Sequence, residues 1–185
     1  MNSVLYIKNM VCSRCKKTVL ALLVQEGFEV ESIQLGKIVV KETQNNDYVK
    51  LERQLNDLGF ELIKDSSKAL VEKIKIALIQ QIDKGDTEGI LSKLADDLGK
   101  NYSFLSKTFS KSEGITLEKY FINLKIEKAK EHIQLNQCNF SEIAYSLNYK
   151  NSSHLAKQFK QVTGMTMSDY KNLHNHNRKG LDKIV

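Results

Sequence analysis

Alternating apolar and polar positions divide the first 65 residues into short strands and helices. The pattern predicts strands over 3–8, 28–35, 37–42 and 60–63, and helices over 15–25 and 47–58. Gly36 separates the two central strands, which predicts a hairpin, and Asp47 is a suitable helix cap. The order is therefore βαββαβ, which predicts two helices on one face of an antiparallel sheet.

From residue 66 onward the strand pattern disappears and apolar residues recur at helical spacing. Helices are predicted over 67–82, 90–98, 102–112, 116–134, 141–147, 152–162 and from Ser168 to near Leu173. The remaining tail is polar and is expected to fray. The predicted fold class is α+β, with an N-terminal ferredoxin-like βαββαβ domain followed by an all-α domain.

Two stretches of the helical part repeat one another. Residues 91–120 and 140–170 align with one inserted residue near Lys150. The matched pairs are Ser92 and Ser141, Ala95 and Ala144, Leu98 and Leu147, Leu105 and Leu155, Lys107 and Lys157, Phe109 and Phe159, Gly114 and Gly164, and Tyr120 and Tyr170. Such a repeat is one supersecondary unit used twice, here a helix-turn-helix. We predict a sensor domain over 1–65, a connecting helix over 66–83, a domain of two such units over 84–174 and a polar tail over 175–185.

The excess positive charge lies in the repeat-bearing part. The chain has 28 Lys plus Arg against 22 Asp plus Glu, a net charge of +6. Residues 1–65 hold nine of each kind, so residues 66–185 hold 19 against 13 and carry the whole excess. Basic domains gain affinity for nucleic acid by neutralising phosphates and releasing counterions. The alternative is that the basic surface is only solvated and binds no partner. The repeated helix-turn-helix favours DNA binding over this alternative.

Composition also limits the class of protein. Hydrophobic residues make up 41%, enough for folded cores. No apolar run approaches the roughly 18 residues of a membrane span, and residues 4–7 are too few for a signal peptide. We therefore expect a cytoplasmic protein with no membrane contact.

Two of the three cysteines form a Cys-x-x-Cys, which in the cytoplasm indicates metal or redox chemistry rather than a structural disulfide.

An ordered series of residues in the second repeat carries a family resemblance. These are Ser141, Ile143, Ala144, Leu147, Tyr149, Ser153, Leu155, Phe159, Lys160, Gly164, Thr166 and Tyr170. The series resembles the DNA-binding domain of AraC-type transcription regulators, with Met167 where that family usually has proline. The resemblance covers roughly residues 71–173 and implies two helix-turn-helix units, joined by a long helix, that bind double-stranded DNA specifically.

Residues opposite the inward-facing leucine and phenylalanine of each second helix are the candidates for base contact. They are Ser103, Ser106 and Lys107 in the first unit and Ser152, Ser153, Ala156 and Lys157 in the second, with His154 near them. A lysine side chain can donate hydrogen bonds to guanine, and a serine hydroxyl can bond to a donor or an acceptor on a base edge. The methyl group of alanine can pack against the methyl group of thymine. Phosphate contacts are expected from helix N-termini and from Lys100, Lys150 and Lys160. For each of these residues, the alternative to a DNA contact is a polar side chain that is only solvated.

A cysteine motif lies between the first strand and the first helix, at residues 9–15. Two thiolates three residues apart can bind one soft ion, such as Cu(I), Zn(II) or another thiophilic metal. The helix N-terminus and the neighbouring Arg14, Lys16 and Lys17 are expected to lower the pKa of both thiols. Met-x-Cys-x-x-Cys on a βαββαβ pattern looks like the heavy-metal-associated domain of copper chaperones and metal pumps, with Asn9 in place of the usual glycine. The resemblance implies Cys12 and Cys15 as ligands and Met10 as a packed anchor beneath them.

Three functions of the cysteine pair stay open: metal sensing, redox sensing through a Cys12–Cys15 disulfide, and a structural relic that mainly dimerises. Two ligands suffice for linear Cu(I), whereas tetrahedral Zn(II) needs two more, for example from a second protomer. Cys138 is expected to be a small buried or linker residue, and His174 with His176 a disordered tail rather than a metal site.

We predict a transcription regulator, not an enzyme, that responds to a metal through the cysteines and couples them to DNA through helix 67–82. The alternatives are a thiol-redox-responsive regulator and a metal-binding carrier protein. The protein is expected to act as a monomer or a homodimer.

Overall fold

A computed structural model describes residues 2–43, 46–85, 89–173, 178–181 and 184. It shows a mostly helical chain with a small antiparallel sheet near the N-terminus. The chain divides into two compact units, Met1–Ile76 and Ala77–Val185, and the boundary falls inside a helix. None of the helices in the described ranges is long and apolar enough to cross a membrane.

The first unit contains the predicted βαββαβ order. Its elements are β1 (Asn2–Lys8), α1 (Ser13–Gln25), β2 (Glu29–Gln34), β3 (Lys37–Lys41), α2 (Tyr48–Asp57) and β4 (Glu61–Ile63), followed by the start of α3 (Ser66–Lys84). The strands pair in the order β2-β3-β1-β4, and every pair is antiparallel. Gly36 makes the predicted hairpin turn with a φ of 70°. Apolar residues of α1 and α2 form one core with β1 residues Leu5 and Ile7.

Side-chain caps determine where the helices of this unit begin. Asp47 caps α2 as predicted, because its Oδ1 accepts hydrogen bonds from the backbone N–H groups of Val49 and Lys50 at 3.1 and 2.9 Å. Helix α1 begins at Ser13, two residues earlier than predicted. The reason is that Cys12 acts as the N-cap, with its Sγ accepting from the Cys15 backbone N–H at 3.4 Å.

The second unit contains helices and no strand among its described residues. Its helices after α3 are α4 (Ile90–Asp97), α5 (Tyr102–Glu113), α6 (Leu117–Leu135), α7 (Phe140–Ser146), α8 (Ser152–Thr163) and α9 (Met167–Lys171). Each helix predicted from residue 67 onward is present, with ends shifted by at most two residues. Helices α4 and α5 form the first helix-turn-helix unit, α7 and α8 the second, and α6 joins them.

The prediction of a frayed tail is wrong for the part that the structure describes. The backbone N–H of Lys179 donates to Glu127 Oε2 at 3.1 Å, and Arg178 lies 3.6 Å from Glu131. Ile184 is buried. Polarity alone suggested fraying, but the buried carboxylate of Glu127 requires hydrogen-bond donors, and the tail supplies one.

Candidate nucleic-acid interface and thiol pair

The second helices of the two helix-turn-helix units begin and end in the same way. Asn101 Oδ1 accepts from the Phe104 backbone N–H at 2.7 Å, and Asn151 Oδ1 accepts from the His154 backbone N–H at 2.9 Å. Both helices end at a glycine with positive φ, 72° at Gly114 and 82° at Gly164. Glycine suits these positions because its left-handed conformation carries no Cβ penalty.

Matching aromatic residues anchor the inner faces of α5 and α8. Phe109 and Phe159 are fully buried. Their rings pack against Tyr120 and Tyr170, with centroid distances of 5.1 and 5.5 Å. Because the inner face of each helix is fixed in this way, its opposite face is directed toward solvent.

Most of the residues predicted to contact bases lie on these outer faces. Ser103, Lys107, Ser153, His154, Ala156 and Lys157 are exposed, whereas Ser106 and Ser152 are half-buried. The predicted phosphate-binding residues Lys100, Lys150 and Lys160 are exposed as well. The structure contains no DNA, so the contacts themselves stay predictions.

Phe104 is a candidate that the sequence analysis missed. Its side chain is 48% exposed in the first turn of α5, between Ser103 and the buried Leu105. The repeat alignment contained the signal, because Phe104 precedes Leu105 as His154 precedes Leu155. An exposed phenylalanine on such a face can contact a thymine methyl.

An aromatic residue of the second unit lies in the turn before α8. Tyr149 is buried there, with its ring edge-on to His154 at a centroid distance of 5.4 Å. Lys125 Nζ lies 4.8 Å from the centre of the same ring. Burial lowers the pKa of Lys125 to about 8 and raises the pKa of Tyr149 to about 12. Tyr149 therefore provides a buried aromatic contact beneath the start of α8.

The two cysteines of the first unit are in contact at the start of α1. Cys12 Sγ and Cys15 Sγ lie 3.0 Å apart, and both side chains are half-buried. Met10 is fully buried in the core against which Cys15 packs, as the resemblance implied. The sulfur atoms thus lie between a fixed core residue and solvent.

The environment separates the acidities of the two thiols. The hydrogen bond from the Cys15 thiol is the main cause that lowers the pKa of Cys12, and the Cys15 backbone N–H adds to it. Burial is the main cause that raises the pKa of Cys15, followed by its bond to Cys12. The prediction of a lowered pKa is therefore correct for Cys12 and wrong for Cys15. Cys12 ionises first because its thiolate has two donors, and Cys15 then lies beside an existing negative charge.

The donor set of this pair limits the metals that suit it. The described residues hold no cluster of three or more His, Cys, Asp or Glu that could bind a metal. Cys12 and Cys15 therefore supply two thiolates, which suit a soft ion of low coordination number, whereas four-coordinate Zn(II) needs further ligands. Cys138 is half-buried and packs against the core of the second unit, as predicted. His174 and His176 lie outside the described residues.

Comparison with known proteins identifies part of the second unit. A family described as a helix-turn-helix domain matches residues 94–172. The uncharacterized HTH-type transcriptional regulator YtdP of Bacillus subtilis is 30% identical over 86 residues, which are 46% of this chain and 11% of that protein. The bifunctional transcriptional activator/DNA repair enzyme AdaA of the same bacterium is 28% identical over 97 residues, which are 52% of this chain and 46% of that protein. This chain thus spans less than half the length of both relatives.

A solved structure supports the same fold. The C-terminal domain of AraT, a response regulator from Geobacillus stearothermophilus, matches with a TM-score of 0.50 and 20% identity. The match covers 58% of this chain and 93% of that domain, and at this identity it shows the fold alone. The family match begins at residue 94 and so does not include Cys12 or Cys15. Residues 94–172 thus match a helix-turn-helix domain in sequence, and the solved structure shares the fold.

Proposed function

We propose that this protein is a transcription regulator, not an enzyme, that binds double-stranded DNA in the cytoplasm through α5 and α8. The observation that supports this is the pair of identically capped helices with exposed serine and lysine side chains. They belong to the part of the chain, residues 66–185, that carries the whole net charge of +6. Two reading helices on one chain can enter successive major-groove segments, which gives a site of about 20 base pairs per protomer. A monomer and a homodimer both suit this geometry.

Replacing one lysine on each reading helix tests the proposal. We expect Lys107→Ala plus Lys157→Ala to weaken binding to a sequence selected from a random DNA pool by the wild type. Each lysine that reads a guanine contributes about 1–3 kcal/mol, so the double variant should lose at least about thirtyfold in affinity at fixed salt. Fluorescence anisotropy measures this affinity.

The control variant removes two exposed lysines of the first unit, Lys17→Ala plus Lys68→Ala. It carries the same net charge as the test variant and should retain affinity within a few-fold. An equal loss in both variants would indicate a general charge effect. Unchanged affinity in the test variant would contradict the assignment of α5 and α8 as the reading helices.

We further propose that the first unit is a ferredoxin-like sensor that binds a thiophilic metal ion through Cys12 and Cys15. Two sulfur atoms 3.0 Å apart at the surface, one of them with a lowered pKa, support this. A bound soft ion would be held as a bis-thiolate complex. Such an ion changes DNA binding only if two states of the protein bind it with different affinities.

The short distance between the sulfur atoms also supports redox sensing as a second candidate function. Oxidation would join Cys12 Sγ to Cys15 Sγ, with two electrons and two protons passing to an oxidant. The lowered pKa of Cys12 favours this reaction, because the thiolate is the nucleophile in thiol oxidation. A metal carrier that binds the ion without affecting DNA is the third candidate.

Measurements of DNA affinity on the metal-titrated protein and on the oxidised protein separate these candidates. The reduced full-length protein is titrated anaerobically with Cu(I) and, separately, with Zn(II), and DNA affinity is measured in the same samples. Cys12→Ser plus Cys15→Ser removes the proposed ligands, and Cys138→Ser is the matched control for loss of a cysteine elsewhere. Metal sensing predicts tight binding that requires both cysteines and changes DNA affinity several-fold. Tight binding with unchanged DNA affinity would favour a carrier, and an effect of oxidation alone would favour redox sensing.

A further inference from the structure

The loop that carries the cysteines is hydrogen-bonded to α3. The backbone N–H of Asn9 donates to Glu72 Oε1 at 2.9 Å. Glu72 is only 5% exposed, although its side chain is a carboxylate. A buried carboxylate is costly unless it is hydrogen-bonded, so its placement opposite this N–H needs a structural reason.

Asn9 holds the same loop in two other ways. Its φ is 68°, a left-handed conformation that asparagine tolerates better than most residues. Its side-chain Nδ2 donates to the carbonyl oxygen of Gly59 at 2.9 Å. The next residue, Met10, is fully buried, and Cys12 follows two residues later. A change at the thiols therefore acts on a short segment whose fixed end is Asn9.

Glu72 lies on the part of α3 that packs on the sheet. A Cβ atom at Gly36 would collide with Ile76 Cδ1, which shows how closely α3 approaches the β2–β3 turn. Lys73 Nζ lies 4.8 Å from the centre of the Tyr6 ring on β1. Past Ile76 the same helix continues into the second unit. There Asp83 accepts a hydrogen bond from Lys128 of α6 at 3.0 Å. One helix thus makes side-chain contacts within each unit.

We propose that Glu72 is a positioning residue that transmits the chemical state of the Cys12–Cys15 pair to α3. The inference rests on the proposed sensing function, because it names the route by which that site would act. Metal binding or oxidation removes the thiol protons and with them the hydrogen bond between the sulfur atoms. The loop from Asn9 to Cys12 then adjusts, the Asn9–Glu72 bond changes in strength, and the stability of α3 changes with it.

Hydrogen–deuterium exchange of the full-length protein tests this route. Peptides covering α3 are compared in three states: reduced, loaded with Cu(I), and oxidised with diamide. Diamide, an azo compound, accepts the two electrons and two protons of the thiols and becomes a hydrazine. In the wild type we expect the exchange of α3 to differ several-fold between the reduced protein and at least one of the other states.

Two matched variants identify the contribution of Glu72. Glu72→Gln keeps the shape of the side chain but removes the charge of the acceptor, and it should lose most of the difference between states. Glu61→Gln removes an exposed carboxylate of the same unit, which pairs with Lys8 at 3.3 Å, and it should retain the difference. The comparison is made between states of one variant, so a general loss of stability does not imitate the expected result.

The possible outcomes separate a failure of the Glu72 route from a failure of metal sensing. A difference that persists in full in Glu72→Gln would overturn the role of Glu72. Identical exchange of α3 in all three wild-type states would overturn transmission through α3, even if a metal binds at the cysteines. If no ion binds but oxidation changes α3 through Glu72, metal sensing fails while the inference stands.

Discussion

The two helix-turn-helix units share their inner faces but differ in how their first helices begin. Helix α7 has a capping box: Asn139 Oδ1 accepts from the Glu142 backbone N–H at 3.0 Å, and Glu142 Oε2 accepts from the Asn139 backbone N–H at 2.7 Å. Helix α4 begins after Gly89, whose φ is 58° and which provides no side-chain cap. The repeat therefore keeps the caps of the reading helices and not those of the helices before them.

The outer faces of the reading helices differ as well. The first turn of α5 contains Tyr102 and the exposed Phe104, where α8 has Ser152 and His154. The Tyr102 hydroxyl donates to Glu118 on α6. Burial and this carboxylate raise the pKa of Tyr102 to about 12. Because one face is partly aromatic and the other polar, we expect the two units to recognise different base sequences.

The largest expected effect tests what the units share. Phe109→Ala and Phe159→Ala each remove a fully buried ring that packs on a tyrosine. Each should lower the free energy of unfolding by about 3–5 kcal/mol, because the lost apolar contact leaves a cavity. Urea unfolding followed by circular dichroism measures the change. Similar values would show that the two cores are equivalent, and a loss below about 1 kcal/mol at one site would show that its core is not closely packed.

The sequence predicted the parts of this comparison that depend on periodicity. Inward-facing Leu105, Phe109 and their counterparts recur at helical spacing, and each helix end was located within two residues. The hairpin of β2 and β3 was also predicted, since Gly36 allows the turn between them. These features depend on neighbours along the chain, which the sequence displays directly.

Features that depend on distant residues were not predictable in the same way. The pKa of Cys15 is raised because its side chain packs against the core, which the basic residues around the motif do not reveal. The bond between Asn9 and Glu72 joins residues 63 positions apart. Burial of Ile184 likewise depends on tertiary packing that a polar tail does not suggest. The base-contact residues stay predictions, because the structure shows their exposure but no DNA.

The capping box gives the next effect in size. Asn139→Ala should lower the free energy of unfolding by about 1 kcal/mol, because two backbone N–H groups of α7 lose their acceptor. Asn139→Ser keeps a capping oxygen and should cost little. Urea unfolding compares the two variants. If both variants have the same free energy of unfolding as the wild type, the capping box does not stabilise α7 relative to α4, which lacks a side-chain cap.

Replacing the exposed phenylalanine tests the difference between the reading faces. Phe104→Ala should weaken DNA binding by about 0.8 kcal/mol or more, roughly fourfold, if its ring covers one thymine methyl. Stability should change little, since the side chain is 48% exposed. Val162→Ala removes another exposed apolar side chain, at the end of α8, and should leave affinity unchanged. Anisotropy measures both, and equal affinities for Phe104→Ala and wild type would remove Phe104 from the interface.

The smallest expected effect concerns Tyr149, which occupies the position that Lys100 has in the first unit. The hydroxyl of Tyr149 is buried and has no hydrogen-bond partner among the residues that the structure describes. Tyr149→Phe keeps the ring, and with it the contacts to Lys125 and His154, while it removes a polar group that gains nothing from burial. The free energy of unfolding should therefore stay constant or rise by up to about 1 kcal/mol. Tyr145→Phe, at a side chain that is 67% exposed, is the control and should have no effect. A clear loss of stability in Tyr149→Phe alone would mean that the hydroxyl is hydrogen-bonded in solution, so that Tyr149 adds a polar contact to the second unit as well as an aromatic one.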